Sequence, residues 1–140
     1  RLAEVEKFLD TVAICPGQIG QHAALWGLQN LRQWLAGERA EILARRAAIA
    51  KGFAPLERGG WQLLGLGAYF AYMQHPFKMR SDDLARHLVR EQSILCLPGT
   101  MFCPEDDPDG AGQLRIAFAN LDQAGISVLF DRLAALDASL

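Results

Sequence analysis

Residues 94–120 read ILCLPGTMFCPEDDPDGAGQLRIAFAN, and this stretch decides the fold. ILCLPG (94–99) is a short apolar run closed by Pro98 and Gly99, the mark of a buried strand. An acidic loop from Glu105 to Gly112 follows, rich in the Asp, Pro and Gly that turns favour. LRIAFAN (114–120) is the next strand. Side chains alternate across a sheet, so Leu114, Ile116 and Phe118 share one face while Arg115, Ala117 and Ala119 share the other. A guanidinium rising between two alanines is poorly explained as core, and it suits a shallow site that grips a carboxylate through two parallel hydrogen bonds. The competing reading is an arginine paired with an Asp or Glu at a domain edge, and the pattern alone leaves both open.

Toward the C-terminus, Asp122 is placed to cap a last helix whose Ile126, Leu129, Phe130, Leu133 and Leu136 face inward. On the other side, Ser81, Asp82 and Asp83 open a helix carrying Leu84, Leu88 and Val89, with Ser81 as a capping hydroxyl and two carboxylates at the positive end of the dipole. GAYFAYM (67–73), ended by His75 and Pro76, reads as an aromatic-rich strand. Before Phe53 the pattern is helical. Leu2, Val5, Leu9 and Val12 mark one face of a first helix, and Cys15, Pro16 and Gly17 stop it. A second runs from about Gln18 to Ala36, apolar on more than one face and therefore expected to be widely buried; Gly37 interrupts it, and helix formers resume from Glu38 to Lys51, as one long kinked helix or two short ones. The expectation is one α+β domain over residues 1–140, helix-rich, with a sheet of about three strands packed against helices. That is too few strands for a doubly wound nucleotide-binding sheet.

At 140 residues, 51% apolar and 21% charged, the chain is long enough for one core and too apolar to be disordered. No apolar run is long enough to span a membrane, and a net charge of -2 provides no basic field for nucleic acid, so neither partner is expected. Cys15, Cys96 and Cys103 make no even framework and no CxxC pair, which fits a reducing, cytoplasmic setting and no metal site. Arg1 resembles neither a natural start nor a signal peptide, as expected for a piece of something longer.

Several motifs fail on inspection. The acidic loop imitates a calcium loop from Glu105, but Ile116 stands where the bidentate Glu must be. GLGAYF (65–70) has Phe70 in place of the third glycine of a dinucleotide loop. His22, His75 and His87 lack ligand spacing and read as surface or core residues; no serine or cysteine sits in a nucleophile motif; and Trp26, Trp34 and Trp61 read as core or interface.

Taken in order, TVAICPGQIGQHAAL (11–25), GAYFAY (67–72), ILCLPGTMF (94–102) and LRIAFAN (114–120) resemble the C-terminal portion of class I/II aminotransferases, the pyridoxal-phosphate (PLP) enzymes of fold type I. The resemblance spans nearly the whole chain and implies that Arg115 holds the α-carboxylate of the amino or keto acid. It places Tyr69 and Phe70 on a strand running toward the active-site mouth and Met101 and Phe102 in a loop near the substrate, making Tyr69 and Phe102 further candidate substrate-binding residues. It also makes residues 13–21 a candidate dimer contact.

Transamination requires a lysine that forms a Schiff base with the cofactor. Lys7, Lys51 and Lys78 sit in VEKF, IAKG and PFKM, none of which resembles the family's lysine motif. The resemblance therefore implies a small domain apart from its large, cofactor-bearing domain, with no catalytic and no cofactor-binding residue of its own. The lysine, the aspartate facing the pyridinium and most of the phosphate cup would precede Arg1. The parent would be a cytoplasmic homodimer that moves an amino group between an amino acid and a 2-oxo acid. No second arginine marks a dicarboxylate substrate, so a neutral or aromatic side chain is preferred. A related PLP lyase or synthase, or a non-catalytic binding or assembly domain with the same fold, are the alternatives.

Overall fold

The computed structural model describes residues 2–13, 15–104 and 107–136; Glu105 and Asp106 of the acidic loop lie outside them. Backbone contacts divide the chain into two units, residues 1–39 and 40–140. The first holds α1 (Leu2–Val12), α2 (Gln18–Asn30) and the beginning of α3 (Arg32–Phe53). The interruption falls at Leu31 rather than Gly37, which stays inside α3. Two local causes explain this. The Asn30 side-chain amide donates to the Trp26 carbonyl, competing with the helical ladder just before the break. A lone interior glycine costs only about 1 kcal/mol, and good helix formers flank Gly37.

The expected wide burial of the 18–36 segment is not found. No residue of α1 or α2 is buried; Ile19 is 88% exposed, and Trp26, Trp34 and the α1 stripe of Leu2, Val5, Leu9 and Val12 are exposed as well. Of the three tryptophans only Trp61 is core. Periodicity reports which face is apolar, not whether this chain carries the residues that would cover it.

The second unit is the α+β body. Its sheet has four strands, one more than expected, in the order β1 (Gln62–Gly67), β2 (Phe70–Gln74), β4 (Gln113–Ala117), β3 (Leu97–Pro98), all antiparallel. The 67–73 segment is not one strand but the turn and second arm of a hairpin. Ala68, at φ 47°, and Tyr69 make the turn. The register shift between Leu63 and Gly65 breaks the alternation that would have revealed β1. β3 is only two residues long because Pro98 has no amide to donate, which confines it to the sheet edge.

Helices α4 (Ser81–Gln92) and α5 (Gln123–Ala134) complete this unit. Asp122 caps α5 as expected, accepting from the Gly125 amide. Ser81 does not cap α4. Arg80 takes the cap position without a side-chain bond, while the buried Ser81 hydroxyl donates to the Gly110 carbonyl at 2.8 Å and ties the acidic loop to the helix. Of the apolar residues the helix carries, Leu84 and Leu88 are buried and Val89 is exposed. One face of the sheet, through Ala71, Met73, Leu114 and Ile116, meets Ile49, Phe53, Leu84, Leu88, Ile126 and Leu133 in a single core that also contains Phe118. Phe53 and Phe130 join α3 to α5 edge to face at 6.5 Å.

Candidate functional site

Strand alternation fixes what the other sheet face carries. Cross-strand partners share a face, and Tyr72 and Leu97 stand opposite Arg115 on either side, so Phe70, Tyr72, Gln113, Arg115 and Leu97 point away from the core. Arg115 thus sits on an interior strand, half-buried, with Leu114 and Ile116 buried behind it, as the sequence alternation requires.

The surroundings of the guanidinium differ from the expected alanine-lined hollow. Ala117 and Ala119 are exposed and leave the space to aromatic rings. The Arg115 Cζ lies 4.3 Å from the Phe70 ring centroid and 3.9 Å from that of Phe102. Both are cation–π distances. Phe70, paired with Ala117, reaches Arg115 diagonally across the β2–β4 ladder. Phe102 arrives from the loop after β3, where its amide donates to the Gly99 carbonyl at 2.8 Å. That loop is pinned: a Cβ on Gly99 would stand 2.7 Å from the Gly110 carbonyl oxygen, so only glycine allows the two backbones to approach. Among the described residues the ion pairs are Arg45–Glu41, Arg80–Asp82 and Arg86–Asp83, and none includes Arg115. Among the described residues, then, no ion pair of the domain-edge kind forms at Arg115.

Tyr72 and Cys103 extend the site. The Tyr72 hydroxyl lies 3.9 Å from the Cys103 Sγ. Burial pushes the Tyr72 phenol above its ordinary value, the contact with Cys103 adds to this, and the Arg115 charge offsets it in part, so Tyr72 stays neutral. A period of two from Phe70 puts Tyr72 on the same strand face, a signal present in the sequence although its partners are not; Cys103 left no such signal. Tyr69 is one ring removed from Arg115: it is exposed at the hairpin turn and tilts against Phe70 at 4.7 Å. Met101 is exposed and lines a different groove of about 400 Å³, with Asp82 and Arg86 of α4 and Cys96 just before β3. Burial holds the Cys96 thiol protonated, pushed up to about 12.

Lys7, Lys51 and Lys78 are exposed on α1, on α3 and in the loop before α4, and none is on the sheet. A lysine that attaches a cofactor needs a sheltered pocket, so these residues do not fit the attachment of PLP. His22 is exposed and His87 half-buried, while His75 is 5% exposed, clustered with Trp61 and Phe77, with neither ring nitrogen hydrogen-bonded. No cluster of metal-ligating side chains occurs among the described residues, and no described helix is long and apolar enough to cross a membrane. What remains chemically is one cation, lying over two aromatic rings, with N–H groups that can make two parallel bonds to a planar anion.

Residues 5–133 match the family "Aminotransferase class I and II". The chain is 24% identical over 131 residues to the aromatic aminotransferase ISS1 of Arabidopsis thaliana, covering 93% of this chain and 32% of that protein. Among solved structures, an aminotransferase from Mycobacterium tuberculosis superposes with a TM-score of 0.74 at 24% identity, covering 94% of this chain and 33% of that one. A putative aminotransferase from Silicibacter pomeroyi gives 0.75 at 24% identity, over 94% and 35%. An archaeal alanine:glyoxylate aminotransferase gives 0.76 at 19% identity, over 89% and 31%. The chain thus spans about a third of the length of these relatives, with the fold of their small C-terminal domain. With the match running over nearly all of its residues, the chain belongs to the class I and II aminotransferase family.

Proposed function

We propose that this chain is the substrate-carboxylate-binding part of a PLP-dependent aminotransferase that moves an amino group between an amino acid and a 2-oxo acid. One observation carries the reading: Arg115 stands on the open face of the sheet, stacked by Phe70 and Phe102, and no described acidic residue neutralises it. The guanidinium binds the substrate α-carboxylate through two parallel hydrogen bonds and so fixes two substrate atoms at once. Phe102 and, one ring further out, Tyr69 border the bound substrate.

PLP supplies the electron sink for transamination when bound. The three lysines of this chain do not fit its attachment, so the chain alone is inactive and its contribution is binding and orientation. A neutral or aromatic substrate side chain suits the rest of the face, where Phe70, Tyr72, Leu97 and Phe102 are apolar or uncharged; the name of the Arabidopsis relative agrees with that preference. The exposed apolar helices of the first unit serve a homodimer and the remainder of a cytoplasmic parent enzyme, with residues 13–21 as a dimer contact.

In the full-length enzyme, Arg115→Ala is expected to weaken carboxylate binding by about 2 to 5 kcal/mol, as truncating one partner of a buried charged pair does. Steady-state kinetics with an amino acid check this, and unchanged kinetics would remove the role.

A further inference from the structure

Arginine side chains that project from a sheet are ordinarily steadied by a carboxylate or a carbonyl. Arg115 makes no ion pair and no side-chain hydrogen bond among the described residues, yet its guanidinium is placed within 4.3 Å of one ring centroid and 3.9 Å of another. Phe70 and Phe102 form no ring contact with each other among the described ring pairs, so the cation separates them.

We propose that Phe70 and Phe102 are positioning residues, a π-clamp that fixes the plane of the Arg115 guanidinium and turns its N–H edge toward the substrate carboxylate. This rests on the carboxylate reading of Arg115. The quadrupole of each ring attracts the cation face-on. Stacking uses the faces of the guanidinium and none of its five donors, whereas a fixed acidic partner would consume the donors the substrate needs. The clamp is built by parts that are rigid for independent reasons. Phe70 is held in the β2–β4 ladder, and Phe102 follows a loop whose path the Gly99–Gly110 approach dictates. Both arms act without touching the reacting atoms.

The test uses the full-length holoenzyme and four variants: Arg115→Lys, Phe70→Leu, Phe102→Leu and Phe102→Tyr. Leucine keeps apolar bulk and removes the quadrupole. Each Leu variant is expected to raise KM for the amino acid about 3- to 30-fold, with kcat nearly unchanged. Phe102→Tyr, which keeps a ring on a residue that is 43% exposed, is expected to raise KM less than Phe102→Leu does, a rescue by the retained ring. The spectroscopic signature is the Arg115 Nε–H proton, shifted upfield by the two rings and moving downfield in Phe102→Leu. A raised KM in Arg115→Lys with unchanged KM in both Leu variants overturns the clamp and leaves carboxylate binding standing. Unchanged KM in Arg115→Lys overturns both. A raised KM in Phe102→Leu without movement of the Nε–H signal, or without rescue by Tyr, assigns Phe102 a packing role and overturns the clamp.

Discussion

The two units spend similar apolar residues in opposite ways. In residues 40–140, Phe53, Met73, Leu114, Phe118, Ile126 and Leu133 are all but inaccessible to solvent, because strands, α3 and α5 bring apolar faces together. In residues 1–39, Leu25, Trp26, Leu28, Trp34 and Leu35 are exposed, and Leu28, Trp34 and Leu35 line an almost wholly apolar groove of about 470 Å³. Helical periodicity is present in both. The difference lies in whether the same chain supplies a second apolar surface, and apolar faces left open in this way mark interaction surfaces. Stability of the chain by itself should therefore reside in the second unit.

The largest expected effect follows directly. Phe118 is completely buried. Phe118→Ala should cost about 3 to 5 kcal/mol, the loss of transfer energy plus a cavity its neighbours cannot close. A urea titration of the 140-residue chain measures this, and a loss below about 1 kcal/mol would show that the core is not where the contacts place it.

A smaller effect depends on pH and belongs to the same core. Burial lowers the pKa of His75, and a backbone group of Ala111 opposes this only in part. The folded state thus holds His75 neutral while the unfolded chain titrates near the ordinary value of about 6.5. Below that pH the unfolded state binds more protons, so stability is fully present above it and falls as the medium is acidified toward the folded pKa. Urea midpoints at about pH 7.5 and about pH 5.5 should differ in that direction, and His75→Phe, which removes the two unpartnered nitrogens, should flatten the slope over this window. An unchanged slope in the variant would transfer the effect to other groups.

How much of this was legible depends on the range of the interaction. The outward side of Arg115 and the inward side of Leu114 and Ile116 follow from a period of two, which is fixed by local geometry, and the Asp122 cap follows from bonds three residues apart. The aromatic clamp did not follow, because it depends on β2 and β4 pairing across some 40 residues with Phe70 opposite Ala117. A shift of one residue would send Phe70 to the core side. β1 stayed hidden for a different reason: Gly65, Gly67 and the register shift erase its alternation. Ser81 had the right residue type for a cap, but its hydroxyl is engaged by the Gly110 carbonyl, an acceptor 29 residues away.

The smallest effect is the one that tests the comparison from its other side. Leu28 is 82% exposed, so it contributes little buried area to the folded chain. Replacing it with Ser removes apolar surface that water already contacts, and the free energy of unfolding of the monomeric chain should change by no more than about 0.5 kcal/mol. Helix propensity works in the same narrow range, because Ser is less favourable than Leu in a helix by only a few tenths of a kcal/mol. The measurement is a urea midpoint taken at a dilution where light scattering shows a monomer, so that association does not add to stability. A loss of about 2 kcal/mol in Leu28→Ser would mean that the α2 face is covered within the chain itself. The contrast between a closed body and an open helical surface would then fail, and with it the assignment of that surface to contacts outside this chain.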